Sequence, residues 1–237
     1  MVILAVNTLE AKRAQTLNLN LPILDQAPKA GYFLTLSGGE WVVKNQALGK
    51  NFVVQLDFAV EMERLRRQHL NPKKDLLSRA LGYRGQDAYL VVDGTLGMGQ
   101  DSLHILSLGC RVVAYEINPF IHFFVQQALD KQPDLAEKWQ LQCGDITKNL
   151  DQLPANVDCL YLDPMFENAK KKSAPKKKML LLRELATERD PDELVAKAIQ
   201  SSVKRVVVKR PMDGDHLVQK PTSILPGSLI RFDVYVK

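Results

Sequence analysis

The stretch Ala88-Tyr89-Leu90-Val91-Val92-Asp93-Gly94-Thr95-Leu96-Gly97-Met98-Gly99-Gln100-Asp101 decides the fold. Residues 88–92 form a continuous apolar run, which reads as a strand buried on both faces. An acid and a glycine-rich turn follow, and residues 101–108 take up a helical pattern. The alternation then repeats: a strand over 111–115, an amphipathic helix over 119–131, strands over 139–142 and 157–162, helices over 178–189 and 192–201, and a strand over 205–208. Strands separated by helices predict a mostly parallel sheet covered on both faces, a Rossmann-like α/β fold. Residues 229–236 add a late strand, expected to run antiparallel.

Upstream the pattern differs. Residues 2–6, 32–36, 41–43 and 52–58 are short strand candidates, punctuated by Gly31, Gly38, Gly39 and Gly49. Asn71-Pro72-Lys73-Lys74-Asp75 then opens a helix, with Leu76, Leu77, Ala80 and Leu81 on one face and Gly82 closing it. The expected division is a small β-rich N-terminal domain over 1–70 and a larger α/β domain over 71–237.

The 237 residues suit one large domain with a small appendage, and an apolar fraction of 46% is enough for a core. The net charge of +5 favours an acidic partner such as nucleic acid. Cys110, Cys143 and Cys159 are odd in number and form no CxxC pair, so neither a disulfide framework nor a zinc site is expected. His69, His104, His122 and His216 are scattered, and no metal is expected. The apolar start over 1–6 is too short for a secretory signal, and no run reaches the ~20 residues of a membrane span. A cytoplasmic location without membrane association is the expectation.

The glycine turn lets a ligand approach the backbone, and in a doubly wound sheet it lies at the carboxyl edge, where ligands bind. The second strand leads to Glu116, a carboxylate able to accept both hydroxyls of a ribose. A nicotinamide dinucleotide shares these features, but its GxGxxG fingerprint seats a diphosphate on the helix N-terminus. Here Gly97-Met98-Gly99 precedes Gln100-Asp101-Ser102, so the third glycine is missing and Asp101 would repel a diphosphate. Asp93 suits a cofactor bearing a sulfonium and an amino group. The loop therefore favours S-adenosylmethionine, with the dinucleotide as the alternative. Asp145, after the third strand, fits either an acceptor for the adenine amino group or a helix N-cap.

The fourth strand ends in Asp163-Pro164-Met165-Phe166. A ring amino group is a poor nucleophile because its lone pair is delocalised. Two acceptors on its hydrogens and a face that holds the base would help it. The Asp163 carboxylate supplies one acceptor, the Pro164 carbonyl a second, and Phe166 a stacking surface. Asp163 is also placed to take the proton. Asp-Pro ending a strand is the plain alternative for this tetrapeptide.

Together with residues 93–101, the segments Leu108-Gly109-Cys110-Arg111-Val112, Glu116-Ile117-Asn118-Pro119, Tyr161 to Phe166, Lys204 to Pro211 and Arg231-Phe232-Asp233-Val234-Tyr235 resemble the RsmJ family, bacterial small-subunit ribosomal RNA (guanine-N2)-methyltransferases. The resemblance spans roughly residues 30 to 236. It implies a class I S-adenosylmethionine-dependent methyltransferase domain behind a small N-terminal domain. It also implies transfer to the exocyclic N2 of one guanosine in 16S rRNA, as RNA or within the small ribosomal subunit. By the resemblance, cofactor contacts fall on Gln100, Asp101, Glu116, Ile117, Asp145, Ile146 and Asp163, beside the Asp93, Gly97 and Gly99 of the loop. Gln100, Ile117 and Glu167 depart from the family's usual residues. Methylation of adenine N6 or cytosine N4, or an inactive RNA-binding protein on this fold, are the competing readings.

Lys170, Lys171, Lys172, Lys176, Lys177 and Lys178 crowd the segment just after this centre. Such a run is usually a solvated face, but beside a reaction centre it is expected to grip phosphates. Arg64, Arg66, Arg67, Lys73 and Lys74 form a second basic cluster, open between RNA contact and ordinary surface. The resemblance adds Lys209 and Arg210 to the expected RNA contacts.

Overall fold

The computed structural model describes residues 1–5, 8–17, 19–49, 51–164, 177–185, 190–214 and 217–237, in two compact units. The first unit carries β1 (Val2–Leu4), α1 (Thr8–Thr16), β2 (Ile23–Leu24), β3 (Phe33–Ser37), β4 (Glu40–Lys44) and β5 (Val53–Val54). Its five-stranded sheet has the order β2-β1-β3-β4-β5, parallel between β1 and its two neighbours and antiparallel from β3 onward.

The chain continues into the second unit with α2 (Phe58–Arg67), α3 (Leu76–Leu81), β6 (Leu90–Asp93), α4 (Gln100–Ser107), β7 (Arg111–Glu116), α5 (Pro119–Leu129), α6 (Pro133–Ala136), β8 (Trp139–Cys143) and β9 (Cys159–Leu162). Next comes α7 (Lys177–Leu185), which packs with β5 in the first unit. There Lys177 Nζ donates to the Asn51 carbonyl at 2.7 Å and lies 5.6 Å from the centre of the Phe52 ring. The second unit is completed by α8 (Pro191–Gln200), β10 (Arg205–Pro211), β11 (Ser223–Pro226) and β12 (Ile230–Val236).

The seven strands of the second unit are ordered β11-β12-β10-β9-β6-β7-β8. From β10 to β8 every pairing is parallel, while β12 runs antiparallel to both β10 and β11. The mostly parallel sheet with a late antiparallel strand is thus present. Its chain order reverses between β6 and β9, and the crevice at their carboxyl ends is where such sheets bind ligands. Side-chain alternation fixes what lies on each face. Leu160 and Leu162 pack with Leu194, Val195 and Ala198 of α8, together with Val92, Val206 and Val208. Tyr161, between them, points the other way and donates its hydroxyl to Asp101 of α4. Helices therefore cover both faces.

Local signals explain most of the boundaries. Asn118 accepts from the backbone N–H groups of Phe120 and Ile121, and Pro119 starts α5 at a position that needs no N–H. Asp190 and Pro191 do the same for α8, and Asp75 caps α3 through the Ser78 N–H. Among the described residues before 70 there are two α-helices that the strand-centred reading omits, Thr8–Thr16 and Phe58–Arg67. Phe58, Met62 and Leu65 are buried at helical spacing, so the expected strand over 52–58 shortens to Val53–Val54 and Phe58 begins α2. Phe58 packs on Trp139, 5.2 Å between ring centres, which places α2 in the second unit rather than with the other residues before 70.

Two buried features of the loop after β6 have measurable consequences. Gly99 adopts φ +75°, and a Cβ there would lie 2.7 Å from the Trp139 ring. Asp93 is 1% exposed and accepts from Ser102 Oγ at 2.6 Å and from the Thr95 N–H at 3.0 Å. Burial pushes its carboxyl up to about 7, with Asp101 and Asp163 adding to the rise and the two hydrogen bonds opposing it. Gly99→Ala is expected to cost about 1–3 kcal/mol in urea unfolding, from overpacking against Trp139 and the left-handed backbone. Asp93 binds its proton more tightly folded than unfolded, so its contribution to stability declines as pH rises from about 4 to 7. Asp93→Asn should therefore gain on the wild type between pH 5 and 8 by on the order of 2 kcal/mol, beyond any constant offset, in unfolding at the two pH values.

Candidate active site

The site forms where β6, β9 and β10 end. Val207 pairs with Tyr161 and Val208 with Leu162, so one step further Lys209 comes level with Asp163. On β6, Asp93 pairs with Tyr161. With a side-chain period of two, Asp93, Tyr161, Asp163 and Lys209 all face α4. The first turn of α4 meets them with Asp101 and Ser102. Lys209 Nζ stands 2.7 Å from Asp101 Oδ2 and 2.9 Å from Asp163 Oδ2. The Tyr161 hydroxyl donates to the same Asp101 oxygen at 2.6 Å. The Asp163 N–H donates to Thr95 Oγ1 at 2.6 Å, which ties the strand end to the glycine loop.

The electrostatics follow from this packing. Burial raises the Asp163 carboxyl to about 6; Lys209 opposes that shift and Asp101 adds to it. Asp101 is held below the usual carboxylate range: burial pushes it up, but Lys209 and the Tyr161 hydroxyl outweigh that. The Lys209 ammonium is raised despite burial, because two carboxylates face it. The Tyr161 hydroxyl is raised strongly by burial and by the surrounding acids, and stays a neutral donor. Among the described residues no cluster of His, Cys, Asp and Glu could hold a metal, and the ammonium of Lys209 occupies the position between the two carboxylates.

Glu116 braces the other side of the loop. Its Oε2 accepts from the Gly97 N–H at 2.9 Å and its Oε1 from the Asn118 N–H at 2.8 Å. It is buried, unlike a solvated strand end. Gln100 is exposed at the start of α4, and Ile117 is half-buried. Asp145 caps the short turn Ile146–Lys148 through the Thr147 N–H at 2.8 Å, so the N-cap role is realised. Ile146 is fully buried in the core with Leu160 and Leu162, which leaves only its backbone for a ligand.

Several expected residues stand elsewhere. Met165, Phe166, Glu167, Lys170, Lys171, Lys172 and Lys176 lie outside the described residues, while Pro164 is buried behind Asp163. Lys177 is engaged with Asn51 and Phe52 of the first unit. The expectation that Lys209 and Arg210 present charge to RNA does not match their surroundings. Lys209 is held between Asp101 and Asp163, and Arg210 is 5% exposed beside Asp233 and Arg231. Arg231 itself bonds Asp233 and the Met212 carbonyl. In the second basic cluster, Arg64 and Arg67 pair with Glu61 and Glu63. Residue-type reasoning missed Thr95, Ser102 and Tyr161 as parts of the site. The signal was available in strand alternation, since Tyr161 shares a face with Asp163.

The donor set can be tested against a cofactor. Asp101, Asp163 and Glu116 offer acceptors around a loop of backbone groups, with one ammonium among them. That fits a cofactor carrying a cationic centre, an amino group and a ribose diol, and it would repel a diphosphate.

Comparison with known proteins agrees. A family described as "Putative SAM-dependent methyltransferase" matches residues 16–237. A protein of Alteromonas mediterranea named ribosomal RNA small subunit methyltransferase J is 33% identical over 218 residues, covering 89% of this chain and 84% of its own. Its namesake in Thioalkalivibrio sulfidiphilus is 32% identical, covering 96% and 93%. The crystal structure of a SAM-dependent methyltransferase from Neisseria gonorrhoeae superposes with a TM-score of 0.73 at 26% identity, covering 99% of this chain and 95% of that one. A crevice at the β6–β9 switch point, lined by acceptors suited to S-adenosylmethionine, thus coincides with sequence relatedness along nearly the whole chain: the protein belongs to the S-adenosylmethionine-dependent ribosomal RNA small subunit methyltransferase J family.

Proposed function

We propose that this protein methylates the exocyclic N2 of one guanosine in 16S ribosomal RNA, as free RNA or within the small subunit, in the cytoplasm. The observation that carries this reading is Asp163, a carboxylate about a third exposed at the end of β9, fixed by Thr95 and Lys209 next to the glycine loop. The names of the related proteins supply the RNA, and the chemistry of an amine acceptor selects an amino group on it. The domain division is part of the proposal: residues 71–237 carry the methyltransferase chemistry, and the β-rich N-terminal residues and the lysine-rich segment 170–178 serve RNA contact.

When bound, S-adenosylmethionine supplies an electrophilic methyl group. Glu116 would take the ribose hydroxyls. Asp93, Gly97 and Gly99 shape the loop on which the cofactor would rest. Gln100 and Asp101 would border it from α4, and Asp145, with Ile117 and the backbone of Ile146, would hold its adenine. The Asp163 carboxylate accepts one hydrogen of the target amine, and the Pro164 carbonyl accepts the other. This pulls the amine lone pair out of conjugation with the ring. Asp163 then takes the proton the amine sheds. Phe166 stacks on the base, which must be unstacked to enter, so a guanosine in an RNA loop is the cheaper target.

The test is mass spectrometry of nucleosides from unmarked 16S rRNA or 30S particles treated with methyl-labelled cofactor. Labelled N2-methylguanosine is the expected product. N6-methyladenosine or N4-methylcytidine would overturn the base assignment, and RNA binding without any label would favour an inactive RNA-binding protein. Asp163→Ala is expected to lower turnover on the order of a hundred- to ten-thousand-fold while RNA binding persists.

A further inference from the structure

Lysines at the ends of strands in an RNA-modifying protein invite assignment to phosphates. The surroundings of Lys209 point inward instead. Its ammonium touches Asp101 Oδ2 at 2.7 Å and Asp163 Oδ2 at 2.9 Å, and only 23% of its side chain is exposed. Both neighbours are fixed independently. Asp101 receives the Tyr161 hydroxyl, and the Asp163 backbone is tied to Thr95. We propose that Lys209 is a positioning residue for methyl transfer, holding the Asp163 carboxylate in place and in its ionised, proton-accepting form by bridging it to Asp101.

This rests on the role given to Asp163 above. Three acids meet on one side of the sheet, Asp93 from β6, Asp163 from the end of β9 and Asp101 from α4; Asp101 disfavours a charge on Asp163, while burial shifts Asp93 itself toward its neutral form. Tyr161 is neutral and adds no compensating charge. Lys209 is thus the cation that acts on this group from β10, against Asp101 on α4. With Lys209 present, Asp163 loses its proton at about 6 and is ionised at neutral pH. Without it, burial and the Asp101 charge would act unopposed, and the carboxyl would be largely protonated at pH 7. A protonated Asp163 cannot accept a proton from the amine. An opposite charge at this distance typically moves a carboxyl by about 1–3 pH units.

The experiment is the pH profile of turnover on unmarked 16S rRNA, with cofactor and RNA saturating, for the wild type, Lys209→Met, Lys209→Arg and Asp101→Asn. A 13C NMR titration of the Asp163 carboxyl in the same full-length proteins accompanies it. Lys209→Met is expected to move the acid limb and the Asp163 midpoint up by about 1–3 pH units. A rise of about two units would reduce turnover at pH 7 on the order of tenfold, with recovery near pH 9. Lys209→Arg should restore most of the limb. Asp101→Asn removes a like charge and should move the midpoint down, which keeps the idea testable if Lys209→Met fails to fold. An unmoved limb and midpoint in Lys209→Met, with RNA KM raised and its salt dependence weakened, would overturn the proposal in favour of a phosphate contact. Should the wild type methylate no RNA, the proposed function fails. The Asp163 midpoints then still decide whether Lys209 sets that carboxyl's charge.

Discussion

The side-chain period of a β-strand is the constraint on which the site depends. β6, β9 and β10 lie side by side in parallel register, so every second residue of each falls on the same face. On one face this gives Val92, Leu160, Leu162, Val206 and Val208, a continuous apolar layer under α8. On the other it gives Asp93, Tyr161, Asp163 and Lys209. One hydrophobic layer thereby specifies where the polar groups stand, because a one-residue slip of either strand would bury charge under α8 and turn valine toward the crevice. The fold's stability and the geometry of its reacting groups are set by the same pairing.

Keeping several acids in so small a volume is costly unless they are compensated. Each is handled differently. Asp93 is buried, hydrogen-bonded to Ser102 and Thr95, and shifted toward its neutral form. Asp101 receives both an ammonium and a phenol hydroxyl and is held ionised. Glu116 is anchored by two backbone N–H groups. Asp163 sits between these extremes, about a third exposed and with its carboxyl raised to about 6. Environments that push neighbouring carboxyls apart are how one constellation supplies both fixed charges and a group that exchanges protons.

Much of this was legible in the sequence, for identifiable reasons. The run 88–92, the glycine turn and the repeated strand–helix alternation are one-dimensional signals, and β6 to β10 appear where they predict. Asp93, Glu116 and Asp163 could be singled out because they end strands. What sequence alone did not yield depends on pairing across the sheet. Lys209 reads as a surface cation until Val207 is known to pair with Tyr161. Arg210 reads the same way until its neighbour on β12 is known to be Arg231, two residues before Asp233. Helix α2 was hidden because Phe58 closes the apolar run 52–58 and opens a helical one, and the first pattern masked the second. The edge strand β11 is only Ser223–Pro226, with mostly exposed residues and a terminal proline, too weak a pattern to find in one dimension.

The helix α7 lies in sequence between β9 and α8, both in the second unit, yet it packs with β5 of the first. The first unit is therefore discontinuous along the chain. During synthesis its sheet strands all emerge before residue 58, but its last helix is not available until Leu185 has been made. By then α2 and the strands β6 to β9 have already emerged. At the usual elongation rate the interval is on the order of ten seconds, long compared with the formation of a helix or hairpin. The N-terminal sheet must pass that interval with the α7 side of β5 uncovered, and it reaches its final packing only after the strand bearing Tyr161 has been made. The first unit cannot be completed before much of the second has been made, and cutting the chain between residues 57 and 58 would not isolate either.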